Sequence, residues 1–195
     1  NDIVVLQNGV KQNLTSQWDG TVNSFVWASN SKDIYFTAPV DGTIQIFKVD
    51  HPGKTRKMAV VEQLSQGQFD VTGIVAENNG QLIVTRTDMN HASEIFTFDL
   101  KSKTFKQLTQ VNNEFYGKLD LPTVEKRMVT TKDGKQMLVW VILPPNFDKS
   151  KKYPTLLYAQ GGPQSALSQF YSTRWNFQLM ASQGYIIVAP NRRGM

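Results

Sequence analysis

The feature that most constrains this chain is an internal repeat in its first half. Ile34-Tyr35-Phe36-Thr37 falls on Leu82-Ile83-Val84-Thr85 at an offset of 48 residues (82 − 34), and Ile46-Phe47-Lys48-Val49-Asp50 falls on Ile95-Phe96-Thr97-Phe98-Asp99 at 49 (95 − 46). Asn13-Leu14-Thr15 resembles Gln107-Leu108-Thr109 at 94 (109 − 15), close to two periods. The repeated runs are β-branched and aromatic. Between them stand Asn8-Gly9, Asp19-Gly20, Asp41-Gly42 and Asn79-Gly80, dipeptides that tolerate the positive φ of tight hairpins.

A period near 40–50 residues with four strands per unit is the pattern of β-propeller blades. One such sheet cannot bury both faces by itself and needs a neighbour on each side. The repeat therefore predicts β-propeller blades over 1–111: residues 1–15 as the outer strands of one blade, about 16–62 as a second and about 63–111 as a third. An open β-sandwich with accidental similarity is the alternative.

The period is lost over 112–123, where Asn112-Asn113-Glu114 through Leu121-Pro122-Thr123 read as a linker. Beyond it the pattern changes. Val124 to Thr130 and Met137 to Leu143 predict two strands joined by a hairpin turn at Lys132-Asp133-Gly134-Lys135, and Pro144-Pro145 closes the second. Tyr153 to Ala159 is almost wholly apolar, as in a strand covered on both faces. Ser172 to Gln183 has helical spacing with Trp175, Leu179 and Met180 on one side, and Gly184 stands where a helix stop is wanted. Tyr185 to Pro190 is a second apolar strand. Strand, helix and strand in this order predict a parallel pair under a crossover helix.

Chemistry would sit at Gln160-Gly161-Gly162-Pro163-Gln164-Ser165, just past the carboxyl end of the first of those strands. Ligands of open α/β sheets bind at that edge. Adjacent glycines let the backbone turn with N–H groups free, which is how charge developing on an attacked carbonyl oxygen is held. A tight strand-to-helix loop with no ligand is the plainer reading of such a turn.

The run Tyr153 to Ser165, followed by Ser182-Gln183-Gly184-Tyr185-Ile186-Ile187-Val188-Ala189-Pro190-Asn191-Arg192-Arg193-Gly194, resembles the start of the catalytic domain of prolyl oligopeptidase-type serine peptidases. Within them it looks like the acylaminoacyl-peptidase and dipeptidyl-peptidase V branch. The resemblance covers about 121–194, and the blades before it stand in the order the family uses. It implies a partial β-propeller followed, over 124–195, by the N-terminal part of an α/β-hydrolase domain. In that family the loop matching Gln160 to Pro163 supplies an oxyanion donor, either a tyrosine hydroxyl or a backbone N–H. This chain has Gln160 where those members have Tyr or His, so the backbone N–H of Gly161 or Gly162 becomes the candidate, with the Gln160 side chain and, at a distance, Tyr158 as alternatives. Asn191 to Gly194 matches the family's Asn-x-Arg-Gly turn, which makes Arg193 a candidate for bracing the site. Arg192 is read as surface.

No Gly-x-Ser-x-Gly nucleophile elbow occurs in the sequence. Neither His51 nor His91 suits a triad base, since both precede the hydrolase segment. The serine, aspartate and histidine of a triad are therefore expected beyond residue 195, and the chain, read as a fragment, is expected to be inactive alone. The whole protein would hydrolyse short peptides by acyl transfer. An esterase or amidase on the same fold, and a non-catalytic propeller binding module, remain the alternatives.

Composition narrows the partners. The net charge of +5 is spread without a basic stripe, apart from the short clusters Lys149-Lys151-Lys152 and Arg192-Arg193, so nucleic acid is not expected. With no cysteine and two separated histidines, neither a metal site nor a cofactor is expected. The longest apolar run, Met137 to Leu143, is far short of the roughly 20 residues of a bilayer span. Asn1 to Val5 begins on a strand-like pattern without a charged and apolar lead-in, as in a piece of a longer chain. The expected partners are short peptides, the remainder of the same polypeptide, and further copies of the chain through unpaired strand edges. The branch resemblance suggests the periplasm, with the cytoplasm as the alternative.

Overall fold

A computed structural model describes residues 1–51, 59–161 and 165–192. The chain divides into two compact units, Asn1–Arg86 with Ser93–Gln110, and Thr87–Ala92 with Val111–Met195.

The first unit is built of antiparallel strands. β1 (Val4–Gln7) and β2 (Val10–Asn13) form a hairpin across Asn8-Gly9, whose φ values of 50° and 78° are those the dipeptide was selected to hold. β3 (Phe25–Trp27), β4 (Asp33–Val40), β5 (Thr43–Asp50) and β6 (Val61–Gln63) pair in succession. β7 (Asp70–Asn78), β8 (Gln81–Asp88), β9 (His91–Asp99) and β10 (Thr104–Gln107) follow as a second run of neighbours. One parallel bridge, Ile44 to Asp70, joins the two runs, and the Ile44 N–H also donates to Asp70 Oδ1 at 2.9 Å.

The sequence repeat has a direct structural counterpart. Ile34 to Thr37 lies in β4 and Leu82 to Thr85 in β8, each the second strand of its four, while Ile46 to Asp50 and Ile95 to Asp99 lie in the third strands β5 and β9. Alternation along β4 sends Ile34 and Phe36 into one apolar cluster with Ile3 and Leu14, and Tyr35 into another with Leu82, Val84 and Phe98. The central strands β4 and β5 are thus apolar on both faces and covered on both, while Phe25 and Trp27 of β3 are exposed.

The same polar latch closes the third and fourth strands of each repeat. An isoleucine N–H donates to a hydroxyl: Ile3 to Thr15 at 3.1 Å, Ile46 to Ser65 at 2.8 Å, Ile95 to Thr109 at 2.9 Å. That hydroxyl donates to the side chain preceding the isoleucine, Asp2 at 2.8 Å, Gln45 at 2.8 Å and Glu94 respectively. The leucine before the hydroxyl returns its N–H to the isoleucine carbonyl, Leu14 to Ile3, Leu64 to Ile46 and Leu108 to Ile95, each at 2.8 Å. Sequence comparison paired only the first and third copies, because Ser65 stands for threonine in the middle one.

The second unit holds a four-stranded mixed sheet in the order β11-β12-β14-β13. α1 (Asn113–Tyr116) is one turn inside the segment read as a linker, closed by hydrogen bonds that the sequence there does not advertise. β11 (Thr123–Thr130) and β12 (Gln136–Leu143) form the expected hairpin, with Gly134 at φ 78°. β13 (Thr155–Leu157) and β14 (Ile186–Pro190) pair in parallel, as expected, and β14 pairs antiparallel with β12.

Two expectations are corrected. The helix, α2 (Phe177–Ser182), is about half as long as Ser172 to Gln183, because the Asn176 side chain caps it by accepting the Leu179 N–H at 2.9 Å. Phe177 and Ala181 are its buried residues; of Trp175, Leu179 and Met180, expected on one side, Met180 packs against the apolar cluster, Leu179 is 64% exposed, and Trp175 precedes the helix and is 45% exposed. The Tyr153 to Ala159 run is not covered on both faces either: β13 spans three residues at the edge of the described sheet, with β14 as its partner and Leu157 69% exposed.

Candidate functional site

The candidate turn leaves the sheet at the carboxyl end of β13. Its entry is tied by the Tyr158 N–H, which donates to the Val188 carbonyl of β14 at 2.9 Å. The Tyr158 ring then turns into the apolar cluster, edge-on to Phe177 at 5.0 Å between centroids and to Trp175 at 5.9 Å. The ring that sequence reasoning kept as a distant donor is therefore packed against the helix.

Gln160 is half-buried, and its amide nitrogen lies 3.5 Å from Ser165 Oγ, at the outer limit of a hydrogen bond. Gly161 is exposed and does not occupy the left-handed region, and a Cβ built on it would meet nothing within 4 Å. Glycine is required here neither by backbone conformation nor by close packing. Among the described residues no hydrogen bond engages the Gly161 N–H, which leaves it available to an acceptor. The candidates Gly162 and Arg193 lie outside the described residues, and Arg192 is exposed.

Where the chain returns from the turn, Leu167 is fully buried and its peptide groups are held on both sides. Its N–H donates to Asn191 Oδ1 at 2.6 Å, and its carbonyl accepts from Asn191 Nδ2 at 3.1 Å and from the Trp140 indole at 3.0 Å. Asn191 directly follows β14, and its own N–H donates to the Leu138 carbonyl of β12 at 2.8 Å. Next along, Gln169 accepts the Met89 N–H at 3.3 Å, and Gln178 donates to the carbonyls of Met89 and Asn90. Asn191 was legible as part of the Asn-x-Arg-Gly turn, but its clasp on Leu167, 24 residues away, was not. The contributions of Trp140, Gln169 and the β8–β9 turn carried no sequence signal.

His91, the first residue of β9, has Nδ1 at 2.8 Å from Asp88 Oδ1 and lies edge-on to Tyr116 at 4.9 Å. The Tyr116 hydroxyl accepts the Ala92 N–H at 2.8 Å, and burial pushes its pKa above the ordinary phenol value. Among the described residues no group of three or more His, Cys, Asp or Glu could hold a metal ion, and no helix is long and apolar enough to cross a membrane.

No profile of a known protein family matches the chain. It is 37% identical over 190 residues to dipeptidyl-peptidase 5 of Porphyromonas gingivalis, a match covering 97% of this chain and 27% of that protein. Dipeptidyl-peptidase 5 of Porphyromonas endodontalis is 40% identical over 162 residues, covering 83% of this chain and 23% of its own length. The chain thus spans about a quarter of these curated relatives. Among solved structures, Pyrococcus horikoshii acylaminoacyl peptidase superposes with a TM-score of 0.80 at 22% identity, over 100% of this chain and 29% of the other. Dipeptidyl peptidase 4 of Porphyromonas gingivalis gives 0.66 at 21% identity, over 99% and 28%. With a dipeptidyl-peptidase sequence likeness along nearly its whole length and a fold shared over that length with solved peptidases, the chain belongs to the prolyl oligopeptidase family of peptidases.

Proposed function

We propose that the chain is the propeller-to-hydrolase portion of a serine-type peptidase that releases short pieces, dipeptides foremost, by acyl transfer. The observation that carries this reading is the turn at Gln160-Gly161, standing at the carboxyl end of a parallel strand pair with a Gly161 N–H that no described residue engages, in a chain 37% identical to a dipeptidyl-peptidase 5. In this reading the N–H of Gly161 or Gly162 receives the oxyanion of the tetrahedral intermediate, with the Gln160 amide as an auxiliary donor and Arg193 bracing the turn. The repeated sheets of the first unit are propeller blades that restrict access to short peptides. The nucleophile, its base and its acid partner come from the rest of the polypeptide, and the periplasm is the proposed compartment. The exposed edge of β13, with Leu156 and Leu157, favours pairing with a further strand, from the same polypeptide or from a second copy.

The test uses dipeptidyl chromogenic substrates and a fluorophosphonate probe on two proteins: the intact polypeptide and residues 1–195 alone. Turnover and labelling by the intact protein, with neither from the isolated chain, is the expected result. Labelling of a serine within 1–195 would overturn the placement of the triad, and turnover of acyl esters without peptides would favour the esterase reading.

A further inference from the structure

We propose that Asn191 is a positioning residue for the oxyanion turn, acting through the backbone of Leu167; this rests on the peptidase reading above. Among the described residues two anchors flank the turn, and both lie on β14 or its immediate continuation. The entry is fixed by the Tyr158 N–H on the Val188 carbonyl at 2.9 Å. The exit is fixed by the carboxamide of Asn191, which takes the Leu167 N–H at 2.6 Å and gives its own N–H to the Leu167 carbonyl at 3.1 Å. Gly161 stands between these anchors, without a hydrogen bond of its own among the described residues.

The chemistry of the clasp is specific to asparagine. One amide oxygen and one amide nitrogen face one peptide N–H and one peptide C=O, so the two partners fix the orientation of the side chain. A carboxylate would keep the first bond and set a negative oxygen against the Leu167 carbonyl. Alanine would strand the Leu167 N–H in a buried place and leave the Leu167 carbonyl to the Trp140 indole alone. Asn191 is in turn held to β12 by its own N–H on the Leu138 carbonyl. The exit of the turn is thus referred to two neighbouring strands of the sheet. Donors that stabilise a developing charge must sit within tenths of an ångström of where that charge appears, and loops reach such precision only through supporting contacts.

The experiment compares the intact polypeptide with its Asn191→Ala and Asn191→Asp variants, with rates normalised to the fluorophosphonate-titrated sites. Outer partners that orient metal ligands typically carry about 10- to 100-fold in activity, and an effect of that order is taken for a partner that orients a backbone donor. The expected result is a fall of that size in kcat with KM changed less than about threefold, and an equal loss of affinity for a peptide aldehyde, whose adduct places an oxyanion in the hole. Affinity for the product dipeptide stays unchanged. A purely structural role would instead lower the fraction of titratable sites and leave the kcat of the remainder intact, and that outcome overturns the proposal. Hydrogen exchange over 160–169 is followed in the same proteins. Should the unaltered intact polypeptide neither turn over peptides nor be labelled, the peptidase reading falls. The clasp is then judged by exchange alone: faster exchange in Asn191→Ala supports it and equal exchange overturns it.

Discussion

The two units of this chain hold their polar groups in opposite ways. In the first, one latch is used three times, a hydroxyl at Thr15, Ser65 or Thr109 answering an isoleucine N–H and the side chain before it. Each latch is short-range within its repeat and independent of the others. In the second, the buried polar contacts converge on one place, where Asn191 and Trp140 both hold Leu167 and Gln169 meets the β8–β9 turn. Repetition suits a scaffold, because losing one latch leaves two. Convergence suits a site, because several elements then fix a single loop, at the cost that one substitution disturbs them all.

Substitutions can break that comparison, and the largest effect is expected at Trp140. Trp140→Ala removes a fully buried side chain and an indole donor together, and is expected to cost about 3–5 kcal/mol in a denaturant titration of the intact polypeptide. Trp140→Phe, which keeps most of the apolar volume, should cost clearly less. Equal losses would show that the hydrogen bond to Leu167, and not the packing, dominates.

The turn should respond through rate and not through stability. Gly161→Pro or Gly162→Pro deletes a backbone N–H, and the one that removes the oxyanion donor is expected to lower kcat about 10²–10³-fold, some 3–4 kcal/mol, with little change in KM. Full turnover in both folded variants would move the hole to the Gln160 side chain or elsewhere.

Within the first unit the latches should differ by burial. Ser65→Ala strands the Ile46 N–H and the Gln45 amide oxygen at a site where Ser65 is 4% and Gln45 1% exposed, and about 1–3 kcal/mol is expected. Thr15→Val also strands a buried N–H, that of Ile3, but its second partner, the Asp2 carboxylate, is exposed and can be served by water, so a smaller loss is expected. The reverse order in thermal unfolding would contradict independent, burial-weighted latches.

The smallest effect is electrostatic. The Thr15 hydroxyl, and after it Asn13, hold the Asp2 carboxyl below its ordinary value of 3.8. Hydrogen bonds from Ser29, Ser102 and Ser150 do the same for Glu77, Asp99 and Asp148. A group whose pKa is lowered by folding contributes stability that is complete above its unfolded pKa and is lost as pH falls through the lower folded one. Acid should therefore weaken the first unit, which holds Asp2, Glu77 and Asp99, more than the second, which holds Asp148. Thr15→Val should raise the Asp2 pKa toward 3.8 in a carboxyl NMR titration. An unmoved value would assign the shift to Asn13.

What the sequence by itself determined was whatever depends on local pattern. The offset of 48 placed β4 and β8 in equivalent positions, and Asn8-Gly9 and Asp133-Gly134 marked the β1–β2 and β11–β12 turns, because hairpin geometry and strand alternation are set by near neighbours. The parallel pairing of β13 with β14 was also legible, since apolar strands around a helical segment leave few other arrangements. Tertiary structure alone decided the rest. Spacing put Trp175, Leu179 and Met180 on one side of a helix, but α2 starts only after its cap at Asn176 and buries Phe177 and Ala181, with Met180 packed beside them and Leu179 exposed. The middle latch was hidden by serine in place of threonine, and no spacing rule joins Asn191 to Leu167 or Trp140 to the same carbonyl. Those contacts link residues distant in the chain through buried backbone groups, and a buried backbone group has no side chain to announce which partner it will require.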